Sequence, residues 1–180
     1  MRAENRLSGY NSVPAMPIHP TTLRALAQFP QTLRTYYEAI PRDERLWVPA
    51  SWEGCPSESF PALEQLCHVL DIEVDGYQAR LRRTVTEDKP FLASIDGYEL
   101  ARVREYARKN SDDVLEAFKV ARAETVDFIS ELRDEQLERR AMFEGYGAVT
   151  ARGLVHFLCS HDQQHLAGLQ WLLGKIESAR

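Results

Sequence analysis

Two histidines four residues apart, His161 and His165, form the pattern in this chain with the clearest chemical meaning. If their segment is helical, residues follow one another at about 100°, which places the two imidazoles within about 40° of each other on one face. Two such imidazoles can bind a single divalent ion at about 2.0–2.1 Å. They can equally be two hydrogen-bonded core histidines, and the spacing alone leaves both interpretations open.

A third histidine, His68, lies in another helical segment and away from its apolar face. It shares a sector of that segment with Glu64, Asp71 and Asp75. Periodicity therefore indicates a surface position for His68, and it does not show that this sector faces the segment of His161.

The remaining histidines and two of the cysteines are weaker candidates for ligands. His156 falls on the side of the last helix opposite the histidine pair, and His19 lies among prolines, where no helix fixes the direction of its side chain. Cys67 and Cys159 adjoin candidate ligands in sequence but point elsewhere round their helices, so they are predicted to be small buried thiols.

Apolar residues that recur at three- and four-residue steps predict the elements that position these side chains. The predicted helices span residues 21–40, 59–84, 96–110, 111–133 and 150–176, with a packed loop over 41–58 and no strand. Four of the helices are long and one is short. The fold class is therefore predicted as all-α, an antiparallel four-helix bundle with one short extra helix. Residues 1–20 are predicted to be a surface tail, and residues 21–180 a single domain.

Composition restricts the partners that we expect. Lys and Arg number 22 against 27 Asp and Glu, a formal net charge of -5, and no basic run is present, so nucleic acid is not expected to bind. No apolar stretch approaches the roughly 20 residues that cross a bilayer, and the polar first residues lack the apolar core of a signal peptide. We therefore expect no membrane association and a cytoplasmic location. Three cysteines without a C-x-x-C spacing indicate reduced thiols.

Residues 66–73 (LCHVLDIE) and 160–167 (SHDQQHLA) resemble two motifs of the DinB-like superfamily, and the likeness extends over most of residues 21–176. Proteins of that family are four-helix bundles, often homodimers. One histidine of the second helix and an H-x-x-x-H pair of the last helix bind nickel, zinc or a similar ion in them. The resemblance implies that His68, His161 and His165 together bind one divalent transition-metal ion. Because characterised relatives are thiol-dependent transferases and isomerases, it also implies a low-molecular-weight thiol and a small-molecule substrate.

Two classes of function remain open at this point. As an enzyme, the protein would use the coordination position left by three imidazoles to activate a thiol or water for transfer to, or hydrolysis of, a small electrophile. Alternatively, the ion only stabilises the helical bundle, or the bundle binds a small molecule without reaction. Nothing in the sequence selects among the carboxylates that could support the ligands, namely Glu64, Asp71, Asp75 and Asp162.

A protease of the zincin type is rejected. His161, Asp162 and His165 nearly match H-E-x-x-H, but an aspartate is shorter than the glutamate that serves as general base there. A third ligand from an upstream helix also departs from the zincin arrangement.

A flank of the last helix predicts a homodimer. Phe157, Gln164 and Trp171 recur there at seven-residue steps, outside the main leucine stripe. The alternative is that these side chains pack within one bundle.

Overall fold

The computed structural model describes residues 18–179, which form a helical bundle with a small sheet. The helices are α1 (Pro20–Glu38), α2 (Ala62–Asp71), α3 (Ala79–Thr86), α4 (Gly97–Val103), α5 (Ser111–Ser130), α6 (Asp134–Leu137) and α7 (Ala151–Ser178). A π-helical segment, Ile72–Gln78, joins α2 to α3, and 3-10 turns lie at Arg42–Glu44 and Tyr106–Arg108. The predicted four-helix bundle with a short extra helix is confirmed. Of the predicted surface tail, residues 1–17 lie outside the described part of the chain.

The order of the helices round the bundle brings α2 to α7. Helix α1 packs against α5 and α7, and α2 packs against the same two helices, so α1 and α2 occupy opposite corners. The leucines of the predicted stripe on α7, among them Leu154, Leu158 and Leu172, are buried in this core. Burial of the stripe turns the adjoining face of α7, with its histidine pair, toward α2.

The second long helix differs from its prediction as one regular helix over residues 59–84. Its middle, Ile72–Gln78, is π-helical, with a wider turn than an α-helix. In a regular α-helix His68 and Tyr77 would point about 180° apart, because they are nine residues apart. Here both rings lie beside His161, with centroid distances of 5.6 and 5.9 Å. The π segment therefore brings two parts of one helical unit onto the same neighbour.

A three-stranded sheet is present where no strand was predicted. Strand β1 (Phe91–Leu92) pairs in parallel with β2 (Arg140–Phe143), and β2 pairs antiparallel with β3 (Gly147–Thr150). Gly145 and Gly147 have φ of +79° in the hairpin turn, a conformation that favours glycine. The prediction failed because strands of two to four residues are too short to show a period-two pattern.

Several helix ends also differ from the predictions. Helix α1 begins one residue earlier, because His19 Nδ1 accepts a hydrogen bond from the Thr21 amide. Helix α4 ends at Val103 rather than near Asn110. The left-handed backbone of Glu105, with a φ of 51°, separates this helix from the 3-10 turn that follows. Asn110 caps α5, because its side chain accepts hydrogen bonds from the Asp112 and Asp113 amides. Of the helices in the described range, none is long and apolar enough to cross a membrane.

Candidate metal centre

Four side chains from three parts of the chain meet between α2 and α7. Glu58 lies in the loop before α2, His68 on α2, and His161 and His165 on α7; their possible ligand atoms all lie within 4.8 Å of one another. The Nε2 atoms of the two α7 histidines are 3.2 Å apart, and Glu58 Oε2 is 3.3 Å from His165 Nε2. His68 Nε2 lies 3.6 Å from Glu58 Oε1. Three imidazoles and one carboxylate thus converge on one point.

His68 is buried, contrary to the surface position that periodicity indicated. Its side chain is 3% exposed, and neither ring nitrogen has a hydrogen-bond partner among the described residues. A buried polar group without a partner costs about 1–3 kcal/mol, so such groups are rare in folded proteins. A cation at the point where the four side chains converge would satisfy Nε2 of His68. The residues present therefore fit a metal ion.

Gln65 fixes the ring of His165. Its Oε1 lies 3.2 Å from His165 Nδ1, and its amide nitrogen donates to the Phe60 carbonyl at 3.2 Å. With the amide oriented by Phe60, Oε1 accepts from an Nδ1–H, which leaves the lone pair of His165 on Nε2, facing the other ligands. Gln65 was not among the site residues predicted from the sequence. A glutamine one turn before His68, on a mostly apolar helix, was the available signal.

Two glycines allow the close approach of these side chains. A Cβ at Gly168 would lie 2.2 Å from Ser57 Oγ and 2.7 Å from Gln65 Oε1. At Gly97, a Cβ would lie 2.8 Å from His68 Cε1 and 2.9 Å from its Nδ1. These contacts are shorter than real Cβ atoms tolerate, so any larger residue would displace the ligands or their supports.

The protonation states of the clustered side chains suit the binding of a divalent cation. Burial lowers the pKa of His68 to about 4, with a further decrease from His165. Burial also lowers the pKa of His161, and the nearby His165 adds to that decrease. The close contact with His165 lowers the pKa of the Glu58 carboxyl to about 2, although burial opposes that shift. At neutral pH the site therefore holds neutral His68 and His161 rings and one carboxylate.

The carboxylates considered from sequence lie outside this cluster. Tyr106 donates to Asp71, and Arg104 forms ion pairs of 2.6 Å with both Asp71 and Asp75. Glu64 is half-buried, and burial raises its pKa. Glu58, in the loop that the sequence analysis described only as packed, is the carboxylate at the site.

Asp162 takes part in a buried network of ion pairs. Arg122 on α5 donates to Asp162 on α7 at 2.6 and 2.9 Å and to Glu73 in the π segment at 2.8 and 3.0 Å. Thr125 donates to the same Glu73 at 2.5 Å. Asp162 therefore connects α7 to α5, and it is not available as a base in the manner of a zincin glutamate. Because Asp162 follows His161 in sequence, the network anchors α7 next to one of the histidines.

The histidines and cysteines that were not predicted to be metal ligands lie outside the cluster. His156 is exposed on α7, and His19 caps α1. Cys67 is buried, as predicted, and burial raises its pKa to about 12. Cys159 is half-buried, and burial raises its pKa as well.

Two members of the flank that predicted a homodimer have partners within the chain. The Phe157 ring lies 5.2 Å from the Tyr146 ring, and Trp171 stacks on Trp52 at 5.7 Å. Gln164 is exposed. The homodimer stays a prediction, since packing within one bundle accounts for both aromatic side chains.

Comparison with known proteins gives the family. The sequence model of the DinB superfamily matches residues 25–169. The chain belongs to the DinB superfamily. Among solved structures, this DinB-superfamily chain is similar to YfiT from Bacillus subtilis, described as a probable metal-dependent hydrolase with an unusual four-helix bundle topology. The TM-score is 0.75 at 16% identity, over 87% of this chain and 86% of YfiT, a likeness that shows the fold alone. No curated protein matches the chain.

Proposed function

We propose that this DinB-superfamily protein is a metal-dependent enzyme that activates a thiol or water for transfer to, or hydrolysis of, a small electrophilic substrate. His68, His161 and His165 would hold one divalent transition-metal ion, with nickel and zinc as the favoured ions. The reaction would take place in the cytoplasm, and the protein would act as a homodimer. The description of YfiT as a probable metal-dependent hydrolase supports the hydrolytic variant, and the thiol-dependent relatives implied by the family resemblance support the transfer variant.

One observation carries the proposal: His68 is buried beside the α7 histidines with both ring nitrogens unpartnered. In the absence of an ion this arrangement only costs stability. Imidazole ligands suit zinc, nickel, copper and iron alike, so the ligand set selects a class of metal and not one element. When bound, such an ion supplies a Lewis acid that makes a thiol or water more nucleophilic at neutral pH.

The protein's own groups then have distinct tasks. Gln65 holds the His165 ring, as its Oε1 contact shows, and Gly97 permits the position of His68. Glu58 differs from the histidines because its side chain is 38% exposed. Glu58 would either complete the ligand set of a bound ion or receive the proton of the incoming nucleophile at Oε1 or Oε2.

The second candidate function is a non-catalytic bundle in which the ion only joins α2 to α7. The observation that favours it is the position of Glu58, because a permanent fourth ligand would close the site. The two functions differ in whether Glu58 leaves the ion when a thiol or water binds.

Elemental analysis of protein purified without a nickel column tests the proposal first. We expect about one transition-metal ion per chain, followed by turnover in a screen that combines low-molecular-weight thiols, or water alone, with small electrophiles. Glu58→Gln serves as the decisive variant. If this variant retains the metal and loses turnover, Glu58 accepts the proton of the nucleophile. If the wild-type protein binds the metal and a thiol but turns over no electrophile, the result supports the non-catalytic bundle.

A further inference from the structure

Arg80 on α3 is a buried cation without a carboxylate partner. Its side chain is 7% exposed, and in residues 18–179 no Asp or Glu lies within ion-pair distance. Its Nη2 donates to one neutral acceptor, the Ala93 carbonyl, at 3.1 Å. By contrast Arg122, the other deeply buried arginine, bonds to two carboxylates, Glu73 and Asp162. The other guanidinium N–H groups of Arg80 make no hydrogen bond within residues 18–179, so they are free to donate to a carboxylate.

The position of Arg80 relates it to the metal centre through Tyr77. The guanidinium carbon lies 5.7 Å from the centre of the Tyr77 ring, and that ring lies 5.9 Å from the ring of His161. Arg80 also lies over the Phe143 ring at 4.5 Å. A Cβ at Gly76 would meet Arg80 Nη1 at 2.9 Å, so glycine leaves room for the guanidinium against the π segment.

The hydroxyl of Tyr77 provides a second unpartnered group. Tyr77 as a whole is 5% exposed, but its hydroxyl oxygen reaches solvent and makes no hydrogen bond within the described range. A phenol hydroxyl can donate a hydrogen bond to a carboxylate oxygen. One cation and one neutral donor thus lie together, next to a candidate metal ligand.

We propose that Arg80 and the Tyr77 hydroxyl bind a carboxylate group of the molecule whose reacting atom is held at the metal centre. A guanidinium has a planar pair of N–H donors that matches a carboxylate, and a low-dielectric environment strengthens the interaction. A single buried cation also balances a single negative charge. The inference rests on the proposed function and adds to it a substrate class: small organic acids, either the thiol itself or its electrophile.

Matched pairs of thiols test the inference on the full-length protein loaded with Co²⁺. One series consists of ω-mercaptocarboxylates with two to five methylene groups, and the other of the ω-mercaptoalcohols of the same lengths. Binding of either thiol to the ion is followed by the sulfur-to-cobalt charge-transfer absorption. We expect at least one acid to bind about tenfold or more tightly than its alcohol. Arg80→Met should abolish that preference and leave the alcohol's affinity unchanged.

Two further variants separate recognition from structural support. Tyr77→Phe removes only the hydroxyl and should reduce the preference, and Arg80→Lys should retain part of it. Arg82→Met, on the exposed side of α3, is the control and should change nothing. If Arg80 only braces the Ala93 segment, its variants lower thermal stability while wild-type protein binds acid and alcohol alike; that result overturns the inference. Absence of the absorption with every thiol, or of Co²⁺ binding, instead contradicts the proposed metal function.

Discussion

Oε1 of Gln65 lies 3.2 Å from Nδ1 of His165, although the two residues are 100 positions apart. This contact joins α2 to α7 at the candidate metal centre, and it makes one end of the glutamine amide a support of the His165 ring. The amide is itself oriented by the Phe60 carbonyl. A rigid chain of hydrogen bonds therefore determines which nitrogen of His165 faces the cluster.

Replacement of Gln65 by leucine should weaken metal binding without removing a ligand. We expect the affinity for Zn²⁺ to fall by about 10- to 100-fold, because His165 loses the acceptor that fixes its ring and tautomer. Competition with a chromophoric chelator measures the change. Gln164→Leu, on the exposed side of α7, is the control. An unchanged affinity in Gln65→Leu would show that the ring is held by packing alone.

His68→Leu should have opposite effects on the metal-free and metal-loaded protein. Removal of two unpartnered buried nitrogens should raise the free energy of unfolding of the metal-free protein by about 1–3 kcal/mol. The same variant should lose the increase in melting temperature that Zn²⁺ or Ni²⁺ gives the wild type. His156→Leu should bind metal normally. If His68→Leu keeps full stoichiometry and affinity, the three-histidine site is wrong.

Stability of the metal-free protein should fall in mild acid. His68 has a folded pKa of about 4 against 6.5 for a free imidazole, so between these values the unfolded chain binds the extra proton. The free energy of unfolding should therefore decrease as the pH drops from about 6.5 toward 4, by at most about 3 kcal/mol from this residue. Urea unfolding with a chelator present, at several pH values, gives the slope. His68→Gln should reduce this slope and leave the part that comes from His161, whose pKa is also lowered by burial; equal slopes in both proteins would contradict the assignment.

Arg122→Leu should be among the most destabilising single substitutions in the bundle. It leaves Glu73 and Asp162 buried without their cation, a change that costs about 3–5 kcal/mol. Equilibrium unfolding in urea measures the loss. Adding Glu73→Gln and Asp162→Asn to the variant should recover part of the stability, because neutral amides are less costly to bury. No recovery would indicate that the shape of the arginine, rather than its charge, matters.

The sequence predicted the parts of this structure that depend on a single regular helix. The faces of α7, including the pair His161 and His165, follow from a period of 3.6 residues. His68 could be assigned only by family resemblance, because its burial depends on contacts with α7 and with the loop of Glu58. Glu58 itself was missed, since an irregular loop has no periodicity from which a side-chain direction can be inferred.

The extra width of the π segment has a consequence for how this chain tolerates insertions and deletions. Loss of one residue from Ile72–Gln78 would let the segment close into a regular α-helix, because its wider turn accommodates one extra residue. His68 and Tyr77 would then be eight residues apart, a separation of about 80° that keeps them on one side of the helix. A single-codon deletion there should therefore leave both side chains facing α7, whereas one additional codon would turn one side of the segment by about 100° relative to the other.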